Sequence, residues 1–317
     1  MHLRPYTDAD CPHLLALWEQ ALPGEAILRE EFERRVLLDA NREPDSLMLA
    51  VEGDRPVGFI LCLVLRYPIE NTGTLEHRGF ITAFGVHPEH RGQGVGSALL
   101  AHAEAFCRAR NRTEVALAPY TPNYFVPGVD KARYPQGLAF LVRRGFVEFS
   151  EAIAMDAPVG QFELDAELLD RERRLRAEGI VIEPFRRERL VDYLDFMHRV
   201  MPGPWLEDAR RNLRDFTRGL FPEDGILLAC HEGRIIGYCQ FEAEHFGPFG
   251  VEDGWQGKGI GTVLLARTLY RMRLKGHHSA YVLWTGERAA KGVYGRLGFT
   301  VSRRFAVLRK TLAKDAS

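Results

Sequence analysis

Residues 90–100 read HRGQGVGSALL, and residues 255–265 read WQGKGIGTVLL. In both, three glycines on alternate positions lead into a small hydroxyl residue and an apolar run. The match reaches well beyond the glycines. Residues 3–24 line up with 182–203 at an offset of 179, placing Pro5 on Pro184, Pro23 on Pro202 and Gly24 on Gly203. The same offset sets residues 47–60 on 226–239, with Gly58 on Gly237. At the glycine loops the offset falls to 165, so the first copy carries 14 extra residues, around YPIENTGTLEHRGF. RRGF at 143–146 and RLGF at 296–299 close the two copies. A period near 180 residues is that of a duplicated domain, far longer than a solenoid repeat.

A chain of 317 residues suits two cores better than one. The expected division is a first domain over 1–158, a connecting helix or linker over 159–179, and a second domain over 180–317. Each copy reads as a short strand, an apolar-faced helix, a charge-rich helix and a hairpin turning at EGDRP or HEGRI. A strand then runs into the glycine loop and a second amphipathic helix. Further strands are expected over 114–118 and 279–284, before a final helix and strand. Between the copies, Leu164, Leu168 and Leu175 fall at helical spacing. The fold class is therefore α/β in the α+β sense, in two tandem copies.

Composition limits the partners. Lys plus Arg number 42 and Asp plus Glu 43, a formal net charge of −1, which gives no electrostatic case for nucleic acid or an anionic membrane. The longest apolar runs, such as VGFILCLVL at 57–65, are too short to span a bilayer, and MHLRPYTDAD lacks a signal-peptide core. Cys11, Cys62, Cys107, Cys230 and Cys239 are scattered without CxxC spacing, which points to reduced thiols in the cytoplasm and to no metal site. The chain is expected to act as a monomer or homodimer.

The loops carry the chemistry. Each follows an apolar strand (ITAFGV, FGPFGV) and opens a helix whose inner face is Leu99, Leu100, Ala103, Phe106 and Cys107, or Leu264, Leu265, Thr268 and Met272. A helix start offers free N–H groups and the positive end of the dipole, and glycines let backbone approach a ligand closely. That combination suits a pyrophosphate. No lysine follows the last glycine, so the loop is not a P-loop, and Ser97 and Thr262 stand where a dinucleotide fingerprint needs its third glycine.

Arg91, Gly92, Gln93, Gly94, Val95 and Gly96 fit the Q/R-x-x-G-x-G/A signature, as do Gln256, Gly257, Lys258, Gly259, Ile260 and Gly261. On these residues the chain resembles the GNAT acyl-CoA N-acetyltransferases, and the resemblance covers nearly all of both halves. The duplicated layout is similar to tandem GNAT proteins such as mycothiol synthase, in architecture alone. The resemblance implies a mixed, mostly antiparallel sheet flanked by helices, with two central strands splayed apart. Acetyl-CoA would enter there, its pyrophosphate on the loop residues above together with Ser97 and Thr262. The backbone of Phe84, Gly85 and Val86, and of Phe249, Gly250 and Val251, would face the donor carbonyl.

The resemblance also implies a tyrosine, four residues before the GF glycine, to protonate the leaving thiolate. Tyr294 stands there in the second copy and Leu141 in the first. Tyr120, Tyr124 and Tyr134 are substitutes for the first copy, as is water. Glu244 is the general base chosen, with Glu242, His245, Glu76 and His77 as alternatives. The expected activity is transfer of an acetyl group to a primary amine of a small molecule, with the second domain catalytic. Two alternatives stay open: a CoA-binding or sensing module with little turnover, and a purely structural first domain.

Overall fold

The computed structural model describes residues 1–117, 119–121, 123–222 and 224–313. Ala118, at the end of the strand expected over 114–118, lies outside them. The chain forms two compact units, one holding Met1–Glu151 together with the chain from Phe305 onward, the other holding Ala152–Arg304.

Unit 1 begins with β1 (His2–Pro5), α1 (Cys11–Ala21) and the short α2 (Arg29–Phe32), which runs on as a wide turn over Glu33–Leu37. The hairpin β2 (Leu47–Glu52) and β3 (Arg55–Leu63) follows, then β4 (Arg78–Val86), α3 (Val95–Ala109), β5 (Glu114–Leu117), β6 (Val129–Asp130) and α4 (Pro135–Arg143). β1 to β4 are joined antiparallel in chain order, while β4 and β5 run parallel. Leu99, Leu100, Ala103, Phe106 and Cys107 of α3 are all buried, as their spacing predicts.

Chain order then gives β7 (Val147–Pro158), α5 (Ala166–Ala177), β8 (Ile180–Pro184), α6 (Leu190–Val200), α7 (Pro204–Thr217), β9 (Ile226–His231), β10 (Arg234–Glu242) and β11 (His245–Val251). After these come α8 (Ile260–Leu274), β12 (Ser279–Thr285), the short α9 (Glu287–Ala289) and β13 (Thr300–Thr311). In unit 2, β8 to β11 pair antiparallel in chain order and β11 meets β12 in parallel. The strand pairing within each unit is thus mixed and mostly antiparallel, as expected. The expected connecting helix is α5. Asp165 caps it by accepting from the Leu168 N–H at 2.8 Å, and Leu164, Leu168 and Leu175 pack into the unit 2 core.

The closing strands do not stay with the copies that encode them. Unit 1 is completed by the far end of β13, where Leu308, Arg309, Lys310 and Thr311 pair with Leu117, Ala116, Val115 and Glu114 of β5. Unit 2 is completed by the later part of β7, where Ile153 to Pro158 pair with β12. The units therefore cut the chain differently from the ranges 1–158 and 180–317. The physical reason is that an alternating strand states which face it buries but not which edge it joins.

Candidate active site

The parallel pair at the centre of each unit separates early. β4 and β5 are joined at Arg78↔Glu114, Gly79↔Val115 and Phe80↔Ala116, after which β4 runs on to Val86 without β5. β11 and β12 share only His245↔Tyr281. Each unit thus holds a V-shaped opening between its two central strands, and the strand on one side of it leads straight into the glycine loop.

The two loops have the same backbone. Gly92 and Gly94 have φ of 75° and 86°, and Gly257 and Gly259 have 79° and 87°. A side chain resists this left-handed region, so these positions call for glycine. Gly94 and Gly259 are the N-caps of α3 and α8 and bring no side chain to cap them. The first-turn N–H groups are left for an anion. Val95 and Ile260, buried to 4% and 1% exposure, anchor the helix starts in the core.

The signature's long side chains turn back onto the protein. Arg91 donates from Nε to the Val86 carbonyl at 3.2 Å and from Nη2 to the Ala21 carbonyl at 3.1 Å. Gln256 donates to the Val251 carbonyl at 3.0 Å and to Asp253 at 2.9 Å. The same brace, from signature residue to strand end, therefore occurs in both copies. Gln93 donates to the Glu89 carbonyl, Lys258 lies 4.6 Å over the Trp255 ring, and Ser97 Oγ accepts from Arg144. Thr262 is half-buried beside Gly261. The groups free to meet a phosphate are mainly backbone N–H groups.

One addition was invisible in the loop sequence. A Cβ placed on Gly259 would lie 2.9 Å from Nη1 and 3.0 Å from Cδ of Arg171, a residue of α5. Arg171 is held by Glu167 at 3.0 Å, and its helix is fastened to α8 by the pair between Arg267 and Glu172. A guanidinium laid across a helix N-terminus adds positive charge to positive charge, an arrangement that an anion relieves.

Strand and helix meet at matching aromatic positions. Phe249 reaches within 3.2 Å of a Cβ placed on Gly261, and Phe84 within 3.4 Å of one placed on Gly96. Tyr294 is 6% exposed, with ring centroids 6.0, 6.2 and 5.3 Å from Phe246, Phe249 and Phe299. Burial raises its phenol well above the ordinary value, so the hydroxyl keeps its proton. Phe249 and Tyr294 are thus brought together. In unit 1 Leu141 is buried in the core, and its neighbour Phe140 packs 6.1 Å from Phe84.

Other expected participants stand elsewhere. Glu244 lies in the turn joining β10 to β11, at the opposite end of β11 from Phe249, Gly250 and Val251. A hydrogen bond with Ser279 holds its carboxyl low. Glu244 is thus set apart from the strand end that leads into the glycine loop. Tyr120 is fully buried, donating to Asp39 at 2.8 Å and accepting from Asn41 at 2.7 Å, and Tyr134 donates to the Pro23 carbonyl at 2.9 Å. Phe125 packs edge-on against Trp18. Tyr120, Phe125 and Tyr134, which lie between β5 and α4, are therefore each fastened to other parts of unit 1.

Comparison with known proteins places these features. Residues 12–125 match the acetyltransferase (GNAT) family, and residues 222–301 match an acetyltransferase (GNAT) domain. An acetyltransferase of Photorhabdus laumondii is 30% identical over 119 residues, which are 37% of this chain and 73% of that protein. One of Sodalis glossinidius is 28% identical over 119 residues, 37% of this chain and 74% of that protein. The chain belongs to the GNAT acetyltransferase family, with two such domains in tandem.

Solved structures agree on the fold over the whole chain. A GCN5-related N-acetyltransferase from Sphaerobacter thermophilus is 19% identical with a TM-score of 0.71, covering 100% of this chain and 97% of its own. A tandem GNAT protein from the clavulanic acid biosynthesis pathway is 17% identical with a TM-score of 0.65, covering 99% of both chains. A GCN5-related glucosamine N-acetyltransferase region of a fungal multi-domain β-N-acetylglucosaminidase is 18% identical with a TM-score of 0.80 over 97% of this chain, which spans 38% of that protein. Among the described residues no helix is long and apolar enough to cross a membrane.

Proposed function

We propose that this chain is an acetyl-CoA-dependent N-acetyltransferase for a small primary amine, with unit 2 catalytic and unit 1 holding acetyl-CoA. The observation that carries this reading is the pairing of two like cradles with one tyrosine: both loops have the same backbone, and only unit 2 follows with Tyr294. Acetyl-CoA supplies a thioester whose acyl carbon passes to the amine nitrogen, the C–N bond forming as the C–S bond breaks. Backbone N–H groups at Gly257 to Thr262 hold the pyrophosphate. The backbone of Phe249, Gly250 and Val251 borders the acyl group, Tyr294 gives its proton to the departing thiolate, and the nitrogen releases its own proton to water, from which Tyr294 is reprotonated. Leu141 has no proton to give, which favours binding without turnover in unit 1. The free, buried cysteines fit a reducing compartment such as the cytoplasm. The amino sugar named for the fungal relative makes glucosamine a sensible first acceptor to assay.

Calorimetric titration with acetyl-CoA is expected to give two equivalents per chain. One equivalent would show that a cradle has lost its use, and none would overturn the reading. Arg171→Ala is expected to weaken binding at unit 2 by about 10- to 100-fold, as for loss of a charged hydrogen bond worth ~1.5–3 kcal/mol, and to leave unit 1 unchanged. Unaltered affinity at both sites would remove Arg171 from the cradle.

A further inference from the structure

The duplication allows the two cores to be compared position by position. At the offset of 179, Leu14, Phe59 and Leu61 in unit 1 correspond to Tyr193, Tyr238 and Gln240 in unit 2. In unit 1 these side chains are 0%, 0% and 1% exposed, and Phe59 stacks on Trp18 at 4.7 Å. That region is a closed apolar core. In unit 2 the corresponding residues are just as buried, at 0%, 0% and 5%, but they carry polar atoms. Tyr193 Oη, Tyr238 Oη and Gln240 Oε1 have no hydrogen-bond partner among the described residues. Each such atom costs about 1–3 kcal/mol if left unpaired. The same fold in unit 1 shows that Leu, Phe and Leu fill these positions without that cost.

Two of the three residues meet, and the third shares their face of the sheet. The Tyr193 and Tyr238 rings meet edge to face at 5.8 Å. Tyr238, Gln240 and Glu242 alternate onto the face of β10 that α6 and α7 cover. Asp208 comes from α7, its side chain 18% exposed and 2.9 Å from Arg211. It is near enough to both phenols for its charge to raise them. Burial in turn lifts its own carboxyl, with Glu242 and Glu207 adding to the lift and Arg211 opposing it. The face continues to Glu242, which is exposed at the end of β10. In the strand register Tyr238 stands directly opposite Gly250, on the segment assigned to the acyl group.

We propose that Tyr193, Asp208, Tyr238 and Gln240 form the acceptor pocket of unit 2, and that its occupant is a small primary amine carrying hydroxyl groups. This rests on the acetyltransferase reading of unit 2. A carboxylate and an amide oxygen only accept hydrogen bonds, while two phenols both accept and donate. The set therefore suits a ligand rich in donors. An ammonium group also gains from the aromatic ring faces, and hydroxyl groups satisfy the phenols and the amide. Unit 1, whose equivalent positions are apolar, has no such pocket, in keeping with its missing tyrosine.

The test uses the full chain and three probes: glucosamine, glucose without the amine, and propylamine without the hydroxyls. Calorimetric titration without acetyl-CoA is expected to show glucosamine binding at least tenfold tighter than either of the others. The Tyr238→Phe/Gln240→Leu variant, which installs the residues that unit 1 already has, is expected to lose at least tenfold in glucosamine affinity. Its acetyl-CoA affinity should be unchanged, and its unfolding temperature should rise, because two unpaired buried atoms are gone. The rise also verifies folding, and Tyr238→Phe alone serves as a second, milder variant. Equal glucosamine binding by wild type and variants overturns the pocket, and equal binding of the three probes overturns the ligand class. Because the amine is titrated alone, a failure of acetyl-CoA to bind is read separately and falls on the proposed function.

Discussion

A chain ending after Arg304 is expected to lose the cooperative folding of unit 1 while unit 2 keeps its own. The missing segment carries Phe305, Val307, Leu308 and Leu312, each 4% exposed or less, and pairs with β5 from Glu114 to Leu117. Burial of side chains of this size contributes ~1.5–3 kcal/mol each, so the loss is about 6–12 kcal/mol. That equals most of the ~5–15 kcal/mol that holds an ordinary domain together. The exposed edge of β5 would add unpaired backbone groups. Lys310, which pairs with Glu104 on α3, goes with the segment. The measurement is urea unfolding followed by near-ultraviolet circular dichroism and tyrosine and tryptophan fluorescence. Trp18 reports on unit 1, and Trp205, Trp255 and Trp284 report on unit 2. Two native transitions in the shortened chain would show that β13 is dispensable to unit 1.

Tyr294→Phe is expected to lower kcat for acetyl transfer about 100-fold, the lower end of the usual contribution of a positioned proton donor. Phenylalanine keeps the ring that packs between Phe246, Phe249 and Phe299, so neither stability nor acetyl-CoA affinity should change by more than about twofold. The contrast between a large kcat effect and a small binding effect separates proton donation from packing. A purely structural tyrosine would show the reverse: unchanged turnover in the folded variant and a lower unfolding temperature. Unchanged kcat with glucosamine or any other accepted amine would leave Leu141 and Tyr294 without functional contrast, and the assignment of catalysis to unit 2 with it.

The parts of this structure that were legible in the sequence are those fixed by local chemistry. The glycine loops, the helices they open and the connecting helix follow from residue spacing alone, and the family resemblance added the splay between β4 and β5. The destination of β7 and β13 was not legible. VEFSEAIAMDAP and TVSRRFAVLRKT both read as strands, and nothing in either sequence chooses an edge. Residue type and nearness in sequence point to Glu244 as the base, yet its position in a hairpin turn takes it to the far end of the strand. Tyr120 drew attention as an aromatic hydroxyl in a long loop, and Asp39 and Asn41 use that hydroxyl to hold the loop down. The Tyr193, Tyr238 and Gln240 cluster had a readable signal. Each stands opposite an apolar residue in the aligned first copy, and polar atoms at core positions are informative because they are costly. Only the folded chain shows that all three are buried together.

The exchange of closing strands also bears on how the protein is made. The ribosome delivers β5 long before Phe305, with about 190 residues between them. At ~5–20 residues per second that is a wait of roughly 10–40 s. Unit 2 has all of its residues once Arg304 is made, whereas unit 1 waits for the chain from Phe305 onward, so the half translated first is finished last. During that interval the nascent chain presents a bare β5 edge to whatever else is emerging, including neighbouring copies on the same message. Slow translation that favours ordinary tandem domains would lengthen this exposure, so the yield of active protein should rise, not fall, when elongation between residues 152 and 304 is quick.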